Sequence, residues 1–489
     1  MIVTLLVLIP ACAGIAAFVV TSDRYRRLLL VSAAIAHTAL SLAGWIVPPA
    51  AALGGWLAED ALGKLFGTLT SLLFLAASFY AVGYLGEEPG QTHADFEEGF
   101  LFSNVREARF TGCLLLFLAA MTLVIVSQQL ALLWVAVEAT TLASAPLIYF
   151  HRHHRSLEAT WKYLLICSVG IALALLGILF LAVAATTPDG ATIPLTVRDL
   201  CARANRLDRT WLKAAFVMLL VGYGTKMGLA PFHTWLPDAH SEAPSVASAL
   251  LSGALLNCAF LGILRTEQIC VAGGLAAFSA RLLLIFGLLS MAVAAVFITG
   301  QTDYKRMLAY SSVEHMGILA VGIGLGGTAI FGAMLHVINH SLTKAMLFMV
   351  AGNLLAVYRT KNIGEVGGAL SVLPASGALW VLGLFAITGS PPFGPFLSEF
   401  TILKAALDQG HAFVAVVYLG LLAIILAAMV GPALAMAQGR PSESVCAPAA
   451  RKFVLTAVPA ALGAAVVVLG IYLPPVLTDA LRAAARLLG

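Results

Sequence analysis

Fourteen predominantly apolar stretches, each long enough to cross a bilayer, follow one another along this chain. By hydropathy they lie at about 2–20, 28–47, 64–84, 110–128, 129–150, 160–186, 211–236, 244–265, 278–300, 307–326, 328–357, 372–406, 411–437 and 453–478. A helix needs about 20 apolar residues to span the hydrocarbon core. In that core each backbone amide must find its partner within the protein, which favours the helix for stretches of this length. The expectation is an all-α polytopic membrane protein with about 14 transmembrane helices. Composition agrees: 61% of residues are hydrophobic and 11% charged, against about 25% charged in soluble domains. The longest polar stretches, Gly86 to Arg109 and Thr186 to Lys213, leave no room for a sizeable soluble domain. A net charge of +4 gives no reason to expect a nucleic-acid partner.

The opening MIVTLLVLIPACAGIAAFVV has no positive residue before its apolar run, and Arg24, Arg26 and Arg27 come after it. That order reads as a retained first helix rather than a cleaved signal. Loops after odd-numbered spans carry Arg24/Arg26/Arg27, Arg152/Arg155, Lys305/Arg306, Arg359/Lys361 and Arg440/Arg451/Lys452. The positive-inside rule makes these loops cytoplasmic and both termini external. The 186–213 loop dissents with Arg203, Arg206 and Arg209, but it is longer and also holds Asp189, Asp199 and Asp208. Seven cysteines (12, 113, 167, 201, 258, 270 and 446) are scattered without a CxxC, which argues against a cluster or a disulfide framework in this chain. No cofactor and no metal are expected in it.

Three charges interrupt the apolar runs: Glu138 within 129–150, Lys226 in FVMLLVGYGTKMGLAPF and Glu399 in SPPFGPFLSEFTIL. Each costs roughly 2.5–3.5 kcal/mol on insertion scales, so a chain that keeps them generally uses them. Two short matches recur in the same order. WVAVE (134–138) resembles YSSVE (310–314), and GLAPFHTWLPD (228–238) resembles GSPPFGPFLSE (389–399). They suggest two inverted five-helix repeats, spans 4–8 and 9–13, with broken helices 7 and 12 at Pro231 and at Pro391/Pro392/Pro395. Carbonyls freed by such breaks need protein or water partners, so a break is best tolerated beside a wet cavity. The chain then divides into 1–109 (helices 1–3 and a polar loop), 110–265 and 266–437 (the two repeats, each a proton half-channel), and 438–489 (helix 14 and the tail).

A carboxylate, an amine and a carboxylate in separate helices are what a proton path needs. Glu138 is a proton acceptor or an ion-pair switch, unless it merely hydrogen-bonds for packing. Burial penalises the charged form of an amine, so an acid approaching Lys226 decides whether it holds its proton. His336, His340 and Lys344 are spaced i, i+4, i+8 and stack on one helix face as a candidate relay. They could also form a structural seam; a metal reading lacks a third and fourth ligand. Glu399 is the candidate exit group, with Lys404 five residues on. Glu314 and His315 occupy the position the repeat pairs with Glu138. Asp303, Lys305 and Arg306 cap a helix start; Lys162 and Glu158 flank span 6; Asp238, His240 and Glu242 follow the first break and could line an entry. HRHHR, with His151, His153 and His154, reads as a surface turn.

These residues resemble a known family. LLWVAVEATTL, GTKMGLAPFHTWLPDAHSEAPS, DYKRMLAYSS, HSLTKAMLF and the broken span ending in SEF are similar to the antiporter-like membrane subunits of respiratory complex I, of Mrp-type sodium/proton antiporters and of energy-converting nickel–iron hydrogenases. The likeness covers about 60–478. WVAVEATTLASAPL, EATWKYLLICSVGIALALLG and AYSSVEHMG look most like the F-type membrane component of hydrogenase-4 and formate hydrogenlyase complexes. The resemblance implies proton-transfer roles for Glu138, Lys226, Lys344 and Glu399. It departs at one place: where many complex I subunits carry a lysine in span 8, this chain reads GALLNCAF, with Asn257. It implies a non-redox subunit of an oxidoreductase complex in a bacterial or archaeal cell membrane. Partners would be other membrane-arm subunits and peripheral subunits that carry iron–sulfur clusters and a nickel–iron site. The transported ion would be the proton, with sodium as an alternative. Rival readings are an Mrp-type antiporter subunit, a complex I subunit and a membrane subunit of an inorganic-carbon uptake complex.

Overall fold

The computed structural model describes residues 1–87, 92–94, 99, 101–186, 190–441 and 453–489; Asp189, Cys446, Arg451 and Lys452 lie outside them. The helices in chain order are α1 (Ile2–Val19), α2 (Asp23–Ile46), α3 (Ala61–Glu87), α4 (Glu107–Val126), α5 (Leu130–Ile148), α6 (His154–Ala184), α7 (Val197–Ala202), α8 (Arg209–Met227), α9 (Trp235–Glu242), α10 (Ser245–Leu250), α11 (Leu256–Ala272), α12 (Ala276–Ile298), α13 (Tyr304–Leu325), α14 (Thr328–Tyr358), α15 (Ala369–Val372), α16 (Pro374–Ile387), α17 (Gly394–Asp408), α18 (Ala412–Gln438), α19 (Val454–Ile471) and α20 (Pro475–Ala485). Among the described residues twelve continuous segments are long and apolar enough to cross a membrane, α10 and α11 counting as one, Ser245–Ala272. The expected spans 7 and 12 are each two helices, α8 with α9 and α16 with α17. The chain is a multi-pass membrane protein.

One departure from an all-helical expectation is a small antiparallel hairpin, Thr92–Ala94 with Leu101–Ser103, in the polar stretch after α3. Another is a π-helical turn at Leu251–Leu255, which joins α10 to α11.

The pairings of the first repeat recur in the second. α5 packs on α4 and α6, and α6 on α8 and α9; likewise α13 packs on α12 and α14, and α14 on α16 and α17. Small residues permit the closest of these contacts. A Cβ on Gly222 of α8 would stand 2.6 Å from the Gly170 carbonyl oxygen of α6. Burial follows polarity. α10 is buried throughout, α11 as far as Cys270, and α13 and α14 nearly so, while α1, α18 and α19 expose much of their apolar surface. Two helices that carry ionisable groups in mid-span, α13 with Glu314 and His315 and α14 with His336, His340 and Lys344, therefore sit at the centre of the bundle, away from lipid.

The breaks are built without wasting backbone partners. α8 ends at Gly228 in the left-handed conformation (φ 86°), and the buried Thr225 carbonyl accepts the Trp235 indole N–H at 2.8 Å. In the second break Gly389 adopts φ +67°, and Ser390 N–H closes on the Phe385 carbonyl at 3.0 Å. Basic loops meet on one face of the molecule, where Arg155, Arg306, Arg359 and Lys361 line a common polar cleft with Glu242, Asp303 and Glu365. On the opposite face the α4–α5 turn pairs through Ser127 with Leu57 and through Gln129 with Thr196.

Candidate functional site

Glu138 sits midway along α5 and is only partly buried. Its carboxylate accepts from Ser168 Oγ of α6 at 3.3 Å and from Thr141 Oγ1, one turn on, at 3.4 Å. Lys226 is fully buried in the last turn of α8. Its ammonium donates to Thr141 Oγ1 at 2.8 Å and to the Tyr163 hydroxyl at 2.5 Å. It also lies 4.4 Å from the Tyr163 ring centroid, within cation–π range. Tyr163 and Ser144 share a hydrogen bond of 2.6 Å. Among the described residues Glu138 and Lys226 form no direct ion pair; the Thr141 hydroxyl stands between them. A one-hydroxyl bridge can carry a proton or be replaced by direct contact after a small side-chain movement.

In the middle of the bundle Asn257 follows the π-turn. Its amide donates to the Gly253 carbonyl and to Ser341 Oγ of α14, both at 2.8 Å. A π-turn shifts the register of the helix beyond it, which aims Asn257 at α14. Ser252, inside the turn, shares a 2.9 Å hydrogen bond with Ser312 of α13. Asn257 Oδ1 and both nitrogens of buried His240 have no protein partner, and His240 stacks on Phe348 with centroids 5.0 Å apart.

The second cluster lies on α13, α14 and α17. Lys344 is fully buried and donates to the Leu308 carbonyl at 2.6 Å and to Ser311 Oγ. One and two turns away, His340 and His336 follow on the same face, their rings stacked with centroids 6.5 Å apart. His315 of α13 lies against both, with centroids 5.0 and 5.1 Å away. Its Nδ1 and His336 Nε2 share a 2.9 Å hydrogen bond, and His336 Nδ1 shares another of 2.9 Å with Ser398 Oγ of α17. Glu399 follows Ser398 and is 5% exposed. The buried atoms Glu399 Oε1, Glu314 Oε2 and both nitrogens of His340 have no protein partner. Buried polar atoms in native proteins are generally hydrogen-bonded, so these unpartnered groups set the cluster apart from the packed core around it. Ligand atoms of His315, His336 and Glu399 all lie within 4.8 Å of one another.

The remaining candidates fall outside these clusters. Lys305 is buried but donates to the Ser241 and Ala243 carbonyls at 2.9 and 2.7 Å, tying α13 to the end of α9. Asp303 caps α13 through the amides of Lys305 and Arg306. Asp238 pairs with Lys162 at 3.0 Å and with Arg306, and Lys162 also pairs with Glu158. These groups ring the basic face and do not reach Lys226. Lys404 is exposed and pairs with Asp408 on the outside of α17, so the structure does not bring it to Glu399. The HRHHR turn is structural in use: His153 accepts the Ser156 amide and caps α6, and His151 bonds Asn104 at 2.8 Å.

Thr141, Tyr163, Ser144 and Ser398 do not stand out in the sequence, because hydroxyls carry no signal in an apolar helix. A buried ion pair is equally inconspicuous there. Arg265, midway along α11, is fully buried and bonds Asp60, which precedes α3, through both guanidinium Nη groups, one at 2.9 Å. Burial pushes the Asp60 carboxyl up, but the Arg265 guanidinium more than reverses this and holds it below the usual carboxylate range. The available signal is the RTEQ string, four polar residues where an apolar span should end.

Comparison with known proteins adds the context. Residues 127–426 match the family described as NADH:quinone oxidoreductase/Mrp antiporter, transmembrane. A hydrogenase-4 component F homolog of Methylacidiphilum infernorum is 36% identical over 371 residues, covering 76% of each chain. Hydrogenase-4 component B of Escherichia coli is 28% identical over 409 residues, covering 81% of this chain and 57% of that one. This chain therefore spans little more than half the length of that second relative. A chain of the membrane-bound sulfane sulfur reductase, an archaeal respiratory membrane complex, has the same fold, with a TM-score of 0.86 at 19% identity over 99% of this chain and 97% of that one.

Proposed function

This chain belongs to the NADH:quinone oxidoreductase/Mrp antiporter transmembrane family, and from that premise we propose that it moves protons as a membrane subunit of a redox complex of the hydrogenase-4 type. The observation that carries the reading is the pair of fully buried amines, Lys226 and Lys344, each held by neutral oxygens alone among the described residues. A buried amine with no fixed counter-ion is an expensive structural element but a serviceable switch, because a carboxylate that approaches or withdraws changes its hold on a proton.

Glu138 is the input. It is reached from the lateral face of α5 and α6 and touches Lys226 through Thr141 alone. Charge movement in a neighbouring subunit would alter Glu138, and Glu138 would alter Lys226. The proton released at Lys226 passes through the hydrated centre marked by Asn257, to Lys344, then to His340, His315 and His336, and leaves through Glu399. Asn257 cannot titrate, so transfer past it uses water held by its free Oδ1. Electron carriers, iron–sulfur clusters and a nickel–iron site, belong to partner subunits in this reading, and the chain itself is the non-redox, enzyme-coupled part. The relatives named for hydrogenase-4 favour this assignment over a stand-alone antiporter.

Purification from the native membrane in mild detergent tests the assignment. The expected outcome is co-elution with membrane-arm subunits and with soluble subunits whose visible and EPR spectra show iron–sulfur clusters. Co-elution with small membrane proteins only would overturn it in favour of an Mrp-type assembly.

A further inference from the structure

We propose that His315, His336 and Glu399 form a binding site for a divalent cation of the zinc class, closed by a fourth ligand from water. Three separate helices, α13, α14 and α17, bring two imidazoles and a carboxylate to one point, with their ligand atoms within 4.8 Å of one another. Two histidines and one glutamate are a recognised zinc donor set, with bonds of about 2.0–2.2 Å. Ligands of a tetrahedral site stand about 3.3 Å apart on that bond length. The two imidazole nitrogens are 2.9 Å apart and share a hydrogen bond, which an ion would replace while parting them by roughly 0.4 Å.

Two further observations point to a ligand. Glu399 is 5% exposed, yet its Oε1 has no protein partner, so a carboxyl oxygen inside the bundle is left open. The site also has the outer support that zinc-binding histidines require: His336 Nδ1 is fixed by Ser398 Oγ at 2.9 Å. The other Glu399 oxygen is wedged against Gly389, where a Cβ would come within 2.0 Å of it, so the carboxylate is held in place by the second break. Glu314 precedes His315 and contributes a second carboxylate to the same seam, again with a buried unpartnered oxygen, Oε2. Two carboxylates balance a dication. The spacing of 336, 340 and 344 on one helix lacks these ligands, which is why α14 by itself shows no metal site.

A bound ion would occupy three titratable groups of the exit path at once and hold them. The consequence for transport rests on the proton-path reading above; the binding site itself does not.

The test uses the untagged full chain in its purified complex, with His151, His153 and His154 changed to Gln to remove the surface histidine turn. Zinc K-edge absorption reads zinc alone, whatever other metals the partners hold. The expected result is one zinc per chain at micromolar zinc, with two imidazoles and oxygen in its shell. His315→Asn and Glu399→Gln each weaken binding at least tenfold, while His340→Gln leaves it within twofold. His336→Asn serves as a further ligand variant if either of the first two fails to assemble. No zinc retained by the parent complex, or binding equally tight in the His315 and Glu399 variants, would overturn the site. Zinc bound as described but without slowing proton translocation would leave the site standing and contradict the path through Glu399.

Discussion

At the residue scale the arrangement turns on hydroxyls that a sequence does not advertise. Tyr163 accepts a hydrogen bond from Lys226, offers it a ring face and links it to Ser144. Tyr163→Phe keeps the ring and removes the hydrogen bond, which is worth about 1.5–3 kcal/mol when one partner is charged. We expect proton translocation to fall roughly ten- to a hundredfold by that energy, with the assembled complex still recovered in normal yield. An unchanged rate in reconstituted vesicles would show that Lys226 does not depend on it. Glu138, Lys226 and Glu399 stand out in the sequence because a charge in an apolar run is conspicuous, and Lys344 through its i, i+4, i+8 spacing with His336 and His340. The Thr141 bridge was not legible, since nothing in VEATT distinguishes a hydroxyl that bonds its own helix from one that reaches another helix. The contact of His315 with His336 was hidden for a similar reason: 21 residues and a helix turn separate them, and periodicity speaks only within one helix.

Elements set where these groups stand. The broken helices were legible as proline-rich interruptions flanked by glycine, and the structure resolves each into two helices joined at a glycine with positive φ, Gly228 or Gly389. Gly389 serves twice. Its φ of +67° disfavours any side chain, and a Cβ would stand 2.0 Å from Glu399 Oε2. Gly389→Ala should therefore displace the carboxylate and reduce translocation as far as Glu399→Gln does. Its stability cost should be about 1–3 kcal/mol from backbone strain. A Gly389→Ala complex that pumps normally would show that the carboxylate position is not critical. The π-turn at Leu251–Leu255 had no sequence signal, because it depends on what α10 and α11 pack against rather than on local propensity. The same holds for the short hairpin after α3, which falls in a stretch too polar and too irregular for periodicity to read.

At the scale of the whole molecule, polar helices at the centre and apolar helices outside follow from the cost of placing charge in lipid. The Arg265–Asp60 pair ties the inner helix α11 to the start of α3. Removing one partner of a buried pair leaves an uncompensated charge. Asp60→Asn should lower stability by about 3 kcal/mol, the low end of that range because the Asp60 side chain is 30% exposed. The pH dependence has a definite sign. The folded state holds Asp60 below its ordinary value, so its contribution is complete above about pH 4, the unfolded Asp value, and is lost as pH falls further. Thermal unfolding of the detergent-solubilised chain between about pH 6 and pH 3 should show a steeper acid loss for the parent than for Asp60→Asn. Parallel curves would remove Asp60 from the account.

The central claim is that charge arriving at Glu138 drives proton movement along the buried axis. Its most direct measurement is the number of protons moved per electron in inverted membrane vesicles, with electron flow followed in the same sample, for the parent and for Glu138→Gln. The account predicts that the variant transfers electrons but moves few or no protons through this subunit, so the ratio falls. An unchanged ratio, with protons still moved in step with electrons, would contradict it.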